Sequence, residues 1–414
     1  MKQHSNPGPL PCVRTGNACT NAPISMTRAV HQSSTSHAAL PGRLRRALWR
    51  FLPLIGGLHA YIGWRLLPAL DLDATGLALV IGGLVVSTCL VPLGLLGRFV
   101  VTSQTLADRL SWLSGLAMGA FSSVLVLTVL RDVVRLFADA SLLNKPTAVA
   151  VLGLAGLFTL VGYVNARRVA RVVNVDIPLA NLPKELAGLT VVQLSDIHVG
   201  PTIKRDYVQA IVDRVNQLDA DLVVITGDVV DGGVEQLRDD TAPLGGLRSR
   251  HGSYVVTGNH EYYSGAAAWM REFERIGLRG LHNRHVVIHH HGARFVLAGV
   301  TDFSAGAFDP AQASDPQAAL AGSPPDLLRI LLAHQPRSAS VAETAGFDLQ
   351  LSGHTHGGQF WPWNFFVPLQ QPFTAGLHRL GRLTVYTSRG TGYWGPPKRF
   401  GAPSEITVLR LTRA

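Results

Sequence analysis

The chain of 414 residues is 47% hydrophobic and only 15% charged, against about 25% charged in ordinary soluble domains. That shortage argues against a wholly soluble protein, and the three cysteines, Cys12, Cys19 and Cys89, give neither a disulfide framework nor a thiolate zinc spacing. The net charge of +10 is concentrated in residues 1–175, which hold 16 of the 37 Lys and Arg but 5 of the 27 Asp and Glu. The remainder is near neutral, unlike a surface built to bind nucleic acid.

Residues 1–42, rich in Ser, Thr, Pro, His and Asn without periodicity, read as a disordered polar tail, with Met26 as an alternative start to Met1. Four apolar stretches follow within 43–170: Trp49–Leu67, Thr75–Leu96, Leu110–Leu130 and Thr147–Val164. About 20 helical residues cross a hydrocarbon core, so the four are expected to form a transmembrane helical anchor. The first is the weakest, broken by Arg50, Pro53, His59 and Arg65. None carries the intramembrane carboxylate or lysine that marks a transport pathway. Arg43, Arg45, Arg46 and Arg50 precede the first span, Arg98 and Arg109 separate the second from the third, and Arg167, Arg168 and Arg171 follow the fourth. The loops between the first and second spans, and between the third and fourth, mix both signs. This bias predicts a multi-pass protein of the plasma (inner) membrane with both termini and the C-terminal domain in the cytoplasm. A rival reading takes Arg45-Arg46 as a twin-arginine export signal, but further spans follow it.

From about Val175 to the end the pattern is that of an α/β domain. Apolar runs of strand length recur at Thr190–Leu194, Leu222–Thr226, Ser253–Thr257, Val286–His290, Phe295–Val300, Leu327–Ala333, Leu349–Leu351, Leu383–Thr387 and Ile406–Leu411. Helical periodicity fits Arg205–Leu218, Ala266–Ile276 and Arg337–Thr344, and Ala305–Pro325 reads as a surface loop. Strands that first alternate with helices and then crowd together predict a mixed-sheet sandwich flanked by helices.

Polar clusters sit where these runs end. They are Asp196-Ile197-His198, Gly227-Asp228-Val229-Val230-Asp231, Gly258-Asn259-His260-Glu261, a lone His334, and Gly353-His354-Thr355-His356. Singly, each has a bland explanation as a cap, a turn or a structural histidine. Together they form a set of metal-ligand residue types at strand ends, where α/β sheets gather their ligands. Shells of carboxylate, amide and imidazole without thiolate suit Mn, Fe or Zn, with Mg less suited to several histidines. The ligand count fits two divalent ions, and Asp228, on a glycine turn between the other clusters, is the natural bridge.

The ordered set D-x-H, G-D-x-x-D, G-N-H-[DE], lone H and G-H-x-H, carried by residues 196–356, resembles the calcineurin-like metallophosphoesterase superfamily. Gly357-Gly358-Gln359 after His356, and Ser388–Pro397, are similar to its membrane-associated bacterial branch. That branch is typified by the YkuE and YaeI phosphoesterases and includes the transmembrane proteins with a metallophosphoesterase domain. The resemblance implies a four-layer α/β/β/α sandwich over 175–414 and hydrolysis of a phosphodiester, phosphomonoester or pyrophosphate by metal-bridged hydroxide. It implies one ion on Asp196, His198, His356 and Asp228, and a second on Asp228, Asn259, His334 and His354. His260 would act as the acid toward the leaving oxygen, with Glu261 orienting it and Asp231 supporting the ligands from behind.

Arg389 and Arg399, near Trp394, are further candidates for holding a substrate phosphate, against the commoner fate of a surface arginine. Tyr262 and Tyr263 would line the pocket or pack, and His289-His290-His291 reads as a hairpin end rather than a metal site. An active site held beside a bilayer suggests a lipid-linked phosphate substrate, and the near-neutral α/β domain argues against nucleic acid. The competing function is a transporter or receptor whose metal-binding domain only senses ligand.

Overall fold

The computed structural model describes residues 42–101, 103–137 and 144–414. The polar tail up to residue 41, with Cys12, Cys19 and Met26, lies outside them, as does Asp139; so do the side chains of Arg43, Arg45, Arg46, Arg50 and Arg98.

Four helices come first: α1 (Gly42–Leu70), α2 (Ala74–Val100), α3 (Gln104–Arg135) and α4 (Asn144–Arg167). Three of them, α2, α3 and α4, are long and apolar enough to cross a membrane. The first expected span falls on α1, which carries Pro53, Pro68 and charged residues and does not meet that measure among the described residues. Its inner face nevertheless packs Ile62, Leu66, Ala69 and Leu70 against Leu127, Ala148, Val151 and Ala155. Outward, Leu79, Val85, Val86 and Leu160 are exposed, as expected of helices solvated by lipid. At one end of the bundle Arg65 makes a bidentate pair with Asp132 (2.7 Å each), which also accepts from Tyr61. These charges belong to helix ends, because α3 continues to Arg135, beyond the expected limit of Leu130.

The α/β domain follows without a linker. Strand β1 (Arg171–Leu179) begins four residues after α4, ahead of the expected start near Val175. The order continues β2 (Thr190–Leu194), α5 (Arg205–Asn216), β3 (Leu222–Thr226), α6 (Val234–Thr241), β4 (Ser253–Val256), α7 (Asn259–Ser264), α8 (Ala266–Arg275) and β5 (Arg279–Gly280). Then come β6 (Arg284–His290), β7 (Ala293–Gly299), α9 (Pro316–Ala319), β8 (Leu328–Leu332), α10 (Ala339–Ala345), β9 (Leu349–Ser352), β10 (Gly376–Leu380), β11 (Leu383–Thr387) and β12 (Glu405–Arg413). The expected loop Ala305–Pro325 contains α9 and two short 3-10 turns, capped by Asp309 and Asp315.

Two mixed six-stranded sheets result, in the orders β1-β12-β2-β3-β4-β5 and β10-β11-β9-β8-β7-β6. Val191, Val224, Val256, Leu297, Ile330 and Leu351 fill the space between them. Trp269 and Phe273 of α8, with Ile211 of α5, cover the outer face of the first sheet, and Ala339 and Ala342 of α10 cover the second. This is an α/β/β/α sandwich, and both sheets direct the carboxyl ends of their parallel strands to the same crevice.

The helices dock on that domain through glycines. A Cβ on Gly162 of α4 would lie 2.6 Å from the Lys398 side chain, and one on Gly115 of α3 would lie 3.0 Å from the Gly395 carbonyl. Lys398 is buried there and donates to the Gly119 carbonyl (2.8 Å) and to Ser123. Lys204 meets Asp108 of α3 at 2.8 Å, and Arg167 donates to the Thr202 carbonyl at 3.0 Å.

Candidate metal centre

The centre is assembled from backbone turns that ordinary residues resist. Asp196, His198, Asp228, His354 and His356 all have positive φ, between 51° and 70°. Left-handed backbone costs a side-chain-bearing residue of order 1 kcal/mol or more and clusters at functional sites. Here it turns five side chains out of the sheet plane into one crevice. Close approach enforces glycine alongside: a Cβ on Gly258 would meet Asp228 Oδ1 at 2.1 Å, and one on Gly353 would meet Ser195 Oγ at 1.9 Å and Asp196 Oδ2 at 2.2 Å.

Three donor groups converge. Asp196, His198 and His356 form one, Asp228, His334 and His354 a second, and His198, Asp231 and His260 a third. The third has a complete explanation in hydrogen bonds. Asp231 Oδ1 accepts from His198 Nδ1 (2.9 Å) and from His260 Nδ1 (2.6 Å), so both rings present Nε2 toward Asp228 Oδ2, each 3.9 Å away. The other two groups leave nitrogens facing one another: His198 Nε2 is 3.0 Å from His356 Nε2, and His354 Nδ1 is 3.2 Å from His334 Nε2. His334 donates Nδ1–H to the Thr226 carbonyl at 2.7 Å and Nε2–H to Asp228 Oδ2 at 3.1 Å; against the effect of burial, that carboxylate holds the imidazole well above its ordinary pKa.

These residues fit a pair of divalent cations. Asn259 Oδ1 is buried with no hydrogen-bond partner, a costly state that a cation would relieve. Burial alone would raise Asp228, but His334, His260 and His198 hold it well below the usual carboxylate range. Burial and His334 lower His354 to about 3, and burial and Arg399 push His356 well down, so both rings are neutral. Ionised carboxylate and neutral imidazole are the ligand forms, already present at Asp228, His354 and His356, whereas burial raises Asp196 and the Asp228 carboxylate raises His334, so a cation there would displace their protons. His356 sets one condition. Arg399 Nη2 donates to its Nδ1 at 2.9 Å, which places the neutral ring's proton on Nε2, so a cation at Nε2 requires that contact to relax and the proton to shift.

Other expected site residues take different places. Glu261 does not orient His260: it is fully buried and accepts from the backbone N–H groups of Gly258, Asp228, Val229 and Val230 at 2.6–3.2 Å. Its work is to hold the Asp228 turn. Arg399 is also fully buried, giving its donors to the carbonyls of His356, Arg389 and Gly392. The expectation of a substrate contact is therefore corrected to a brace behind His356. Arg389 pairs with Glu405 at 3.0 Å and remains partly open.

The Ser388–Pro397 run wraps the back of Asp196. Thr391 and Gly392 donate to the carbonyls of Ser195 and Asp196, and a Cβ on Gly392 would lie 2.0 Å from the Ile197 carbonyl. Around His260 lie Tyr263 (5.3 Å) and Trp394 (5.6 Å), both edge-on and half or more exposed, whereas Tyr262 bonds to Gln312. His290 is buried against His251 on a sheet edge, apart from the centre. Gln359, which the sequence flagged only as part of a motif, bonds to the Trp394 backbone in both directions, at 2.8 and 2.9 Å.

A four-layer sandwich with histidine–carboxylate clusters at its strand ends defines a metallophosphoesterase domain. Residues 189–358 match the family model of the calcineurin-like phosphoesterases. The chain is 41% identical over 278 residues to a "transmembrane protein with metallophosphoesterase domain" of Danio rerio, covering 65% of this chain and 63% of that protein. It is 31% identical to an uncharacterised metallophosphoesterase of Aquifex aeolicus and 30% to YkuE of Bacillus subtilis, covering 91% and 81% of those proteins and 58% and 56% of this chain. The chain belongs to the calcineurin-like phosphoesterase family, whose members are metal-dependent phosphoester hydrolases. It spans less than two thirds of the Danio relative's length.

Proposed function

We propose that the protein is a membrane-anchored phosphoesterase with two divalent ions, Mn, Fe or Zn, acting at the cytoplasmic face of the plasma membrane on a lipid-linked phosphoester or pyrophosphate. The carrying observation is that the ionised carboxylate Asp228 belongs to one donor group and lies 3.9 Å from His198 Nε2 of the other, with the Asn259 oxygen at the neighbouring strand end left orphaned. Asp196, His198 and His356 would hold one ion, Asn259, His334 and His354 the other, and Asp228 both. Such ions, when bound, supply Lewis acidity toward a phosphoryl oxygen and lower the pKa of water.

The chain's own residues supply positioning and a proton. Asp231 fixes the His260 ring through Nδ1 and turns Nε2 to the crevice, where it delivers a proton to the leaving oxygen. Glu261 keeps the Asp228 turn rigid. Tyr263 and Trp394 flank His260 and limit water beside it. The cytoplasmic reading is supported by arginines 167, 168 and 171, at the helix end that meets the domain, set against the mixed charges of Arg65, Asp71, Asp73 and Asp132 at the other.

The test is hydrolysis of bis-p-nitrophenyl phosphate by the full-length protein in detergent, with and without Mn. Asp228→Ala should reduce Mn-dependent turnover to background and lower the metal content per chain. Undiminished turnover in that variant would defeat the proposal.

A further inference from the structure

Immediately after His356 the chain runs through Phe360, Trp361, Pro362, Trp363, Asn364, Phe365, Phe366, Val367, Pro368 and Leu369, with no charged residue between Gln359 and Gln371. A soluble domain would bury such a run. Here Trp363, Phe365, Phe366 and Leu369 are 42%, 66%, 52% and 80% exposed. Their backbone N–H groups are nonetheless paired internally. Trp363, Phe365, Phe366 and Leu369 donate to the carbonyls of Phe360, Pro362, Trp363 and Phe366, in two successive 3-10 turns. Irregular backbone exposed to lipid is excluded from the hydrocarbon core, which sets such turns at the hydrated interfacial level of a bilayer.

The segment lies along the membrane helices. Trp363 Nε1 donates to Ser122 Oγ of α3 at 3.0 Å, Trp361 meets Phe158 of α4 edge-on at 6.2 Å, and Phe158 stacks on Phe400 at 4.2 Å. Phe158 is nine residues before the end of α4, hence about 14 Å along the helix axis from that end. Beside apolar helices of spanning length, outward-facing Trp, Phe and Leu match the aromatic belt at a bilayer interface. On its other side the segment is continuous with the metal centre. His356 is four residues before Phe360, and Gln359 ties it to the Trp394 backbone, whose ring faces His260.

We propose that Trp361–Leu369 is an additional membrane-inserted element, distinct from the spanning helices, which seats in the adjacent lipid leaflet and forms the membrane-side wall of the metal centre. Resting on the reading of a lipid-linked phosphoester, this wall lets a phosphate carried on an acyl chain reach His260 and Asp228 while its chain stays in the leaflet. The occupant is lipid, because the surface is uncharged, aromatic and continuous with the lipid-facing helices.

Insertion is read by fluorescence in a background with Cys12, Cys19 and Cys89 replaced by Ser. Phe365→Cys, Leu369→Cys and, on exposed Ala318 of α9, Ala318→Cys are labelled with a nitrobenzoxadiazole dye. Each full-length protein is then reconstituted in phosphatidylcholine–phosphatidylglycerol vesicles. Doxyl-labelled lipid should quench the dyes at positions 365 and 369 and aqueous iodide should not, with the reverse at position 318. Iodide quenching at 365 and 369 overturns the proposal. So does shielding from both quenchers accompanied by cross-links between copies, which would make the surface a protein interface.

A second arm compares bis-p-nitrophenyl phosphate in solution with dodecyl p-nitrophenyl phosphate in the same vesicles. The triple change Phe365→Ser, Phe366→Ser, Leu369→Ser should lower turnover of the vesicle-borne ester roughly tenfold and leave the soluble ester unaffected. An equal fall on both rejects the wall. Failure of the unmodified protein on both esters would instead defeat the phosphoesterase reading, while the quenching pattern still decides insertion.

Discussion

The two sheets bring different chemistry to the crevice. From the ends of β2, β3 and β4 come Asp196, His198, Asp228, Asp231, Asn259 and His260, a mixture of carboxylates, an amide and imidazoles, with Asp231 bonding both His198 and His260 and Asp228 accepting from the His260 N–H. From β8 and β9 come His334, His354 and His356, imidazoles alone, two of them neutral and lacking a carboxylate of their own sheet. Two of the three donor groups take members from both sides, with Asp196 and His198 meeting His356, and Asp228 meeting His334 and His354. The seam is bonded directly: His354 N–H donates to Asp196 at 2.9 Å, His334 to the Thr226 carbonyl, and Gln193 Nε2 to the Ser352 carbonyl at 2.9 Å. The lesson is that neither sheet holds a centre by itself. The first sheet carries the charge and the proton, and the second closes the shell.

That contrast can be broken in steps. The largest effect is expected at the first sheet's acid. His260→Gln should cost turnover about 10³-fold while metal per chain, measured by plasma emission, stays constant; a loss of metal would move His260 into the shell. Asp231→Ala removes the acceptor shared by His198 and His260 and should lower metal affinity or turnover by about 10–100-fold, with unchanged kinetics the contrary result. Gly353→Ala inserts a methyl where the sheets touch, against Ser195 and Asp196. A loss of about 2 kcal/mol is expected in denaturant unfolding, and none would mean that the seam yields freely.

The smallest effect is one of pH, in chelated protein. Burial alone would lower His260, but its hydrogen bond to Asp231 and the Asp228 and Asp231 carboxylates raise it to about 9. Its folded value exceeds the unfolded value near 6.5. The stabilisation is therefore complete below pH 6.5 and lost as pH rises through about 9. Thermal midpoints of the unmodified chain should fall more than those of His260→Gln over that window, and parallel curves would refute the coupling.

Most of the central strands were legible because each is a short β-branched run closed by glycine or a polar turn; Thr190–Leu194, Leu222–Thr226 and Leu383–Thr387 match residue for residue. Strands β1 and β10 escaped because their half-exposed residues mix charge with apolar side chains without a clear alternation. Helix α6, with two acids in its last turns and little apolar content, also gave no period. Candidate ligands were visible as residue types at strand ends. The work of Glu261 and Arg399 was not, since a carboxylate that binds four backbone N–H groups and a guanidinium sunk among carbonyls look in sequence like any surface charge.

The chain by itself determined its division into apolar helices and an α/β half, and the set of His, Asp and Asn at strand ends, because hydrophobic period and side-chain chemistry are local properties. Tertiary structure alone decided which imidazole faces which, that Asp228 stands between two groups, and that an aromatic run after His356 lies along α3 and α4. Those facts depend on left-handed turns and on glycines read against distant atoms, Gly353 against Ser195 and Gly162 against Lys398. Packing between sheets, and between helices and domain, couples residues far apart in sequence, and no local pattern encodes it.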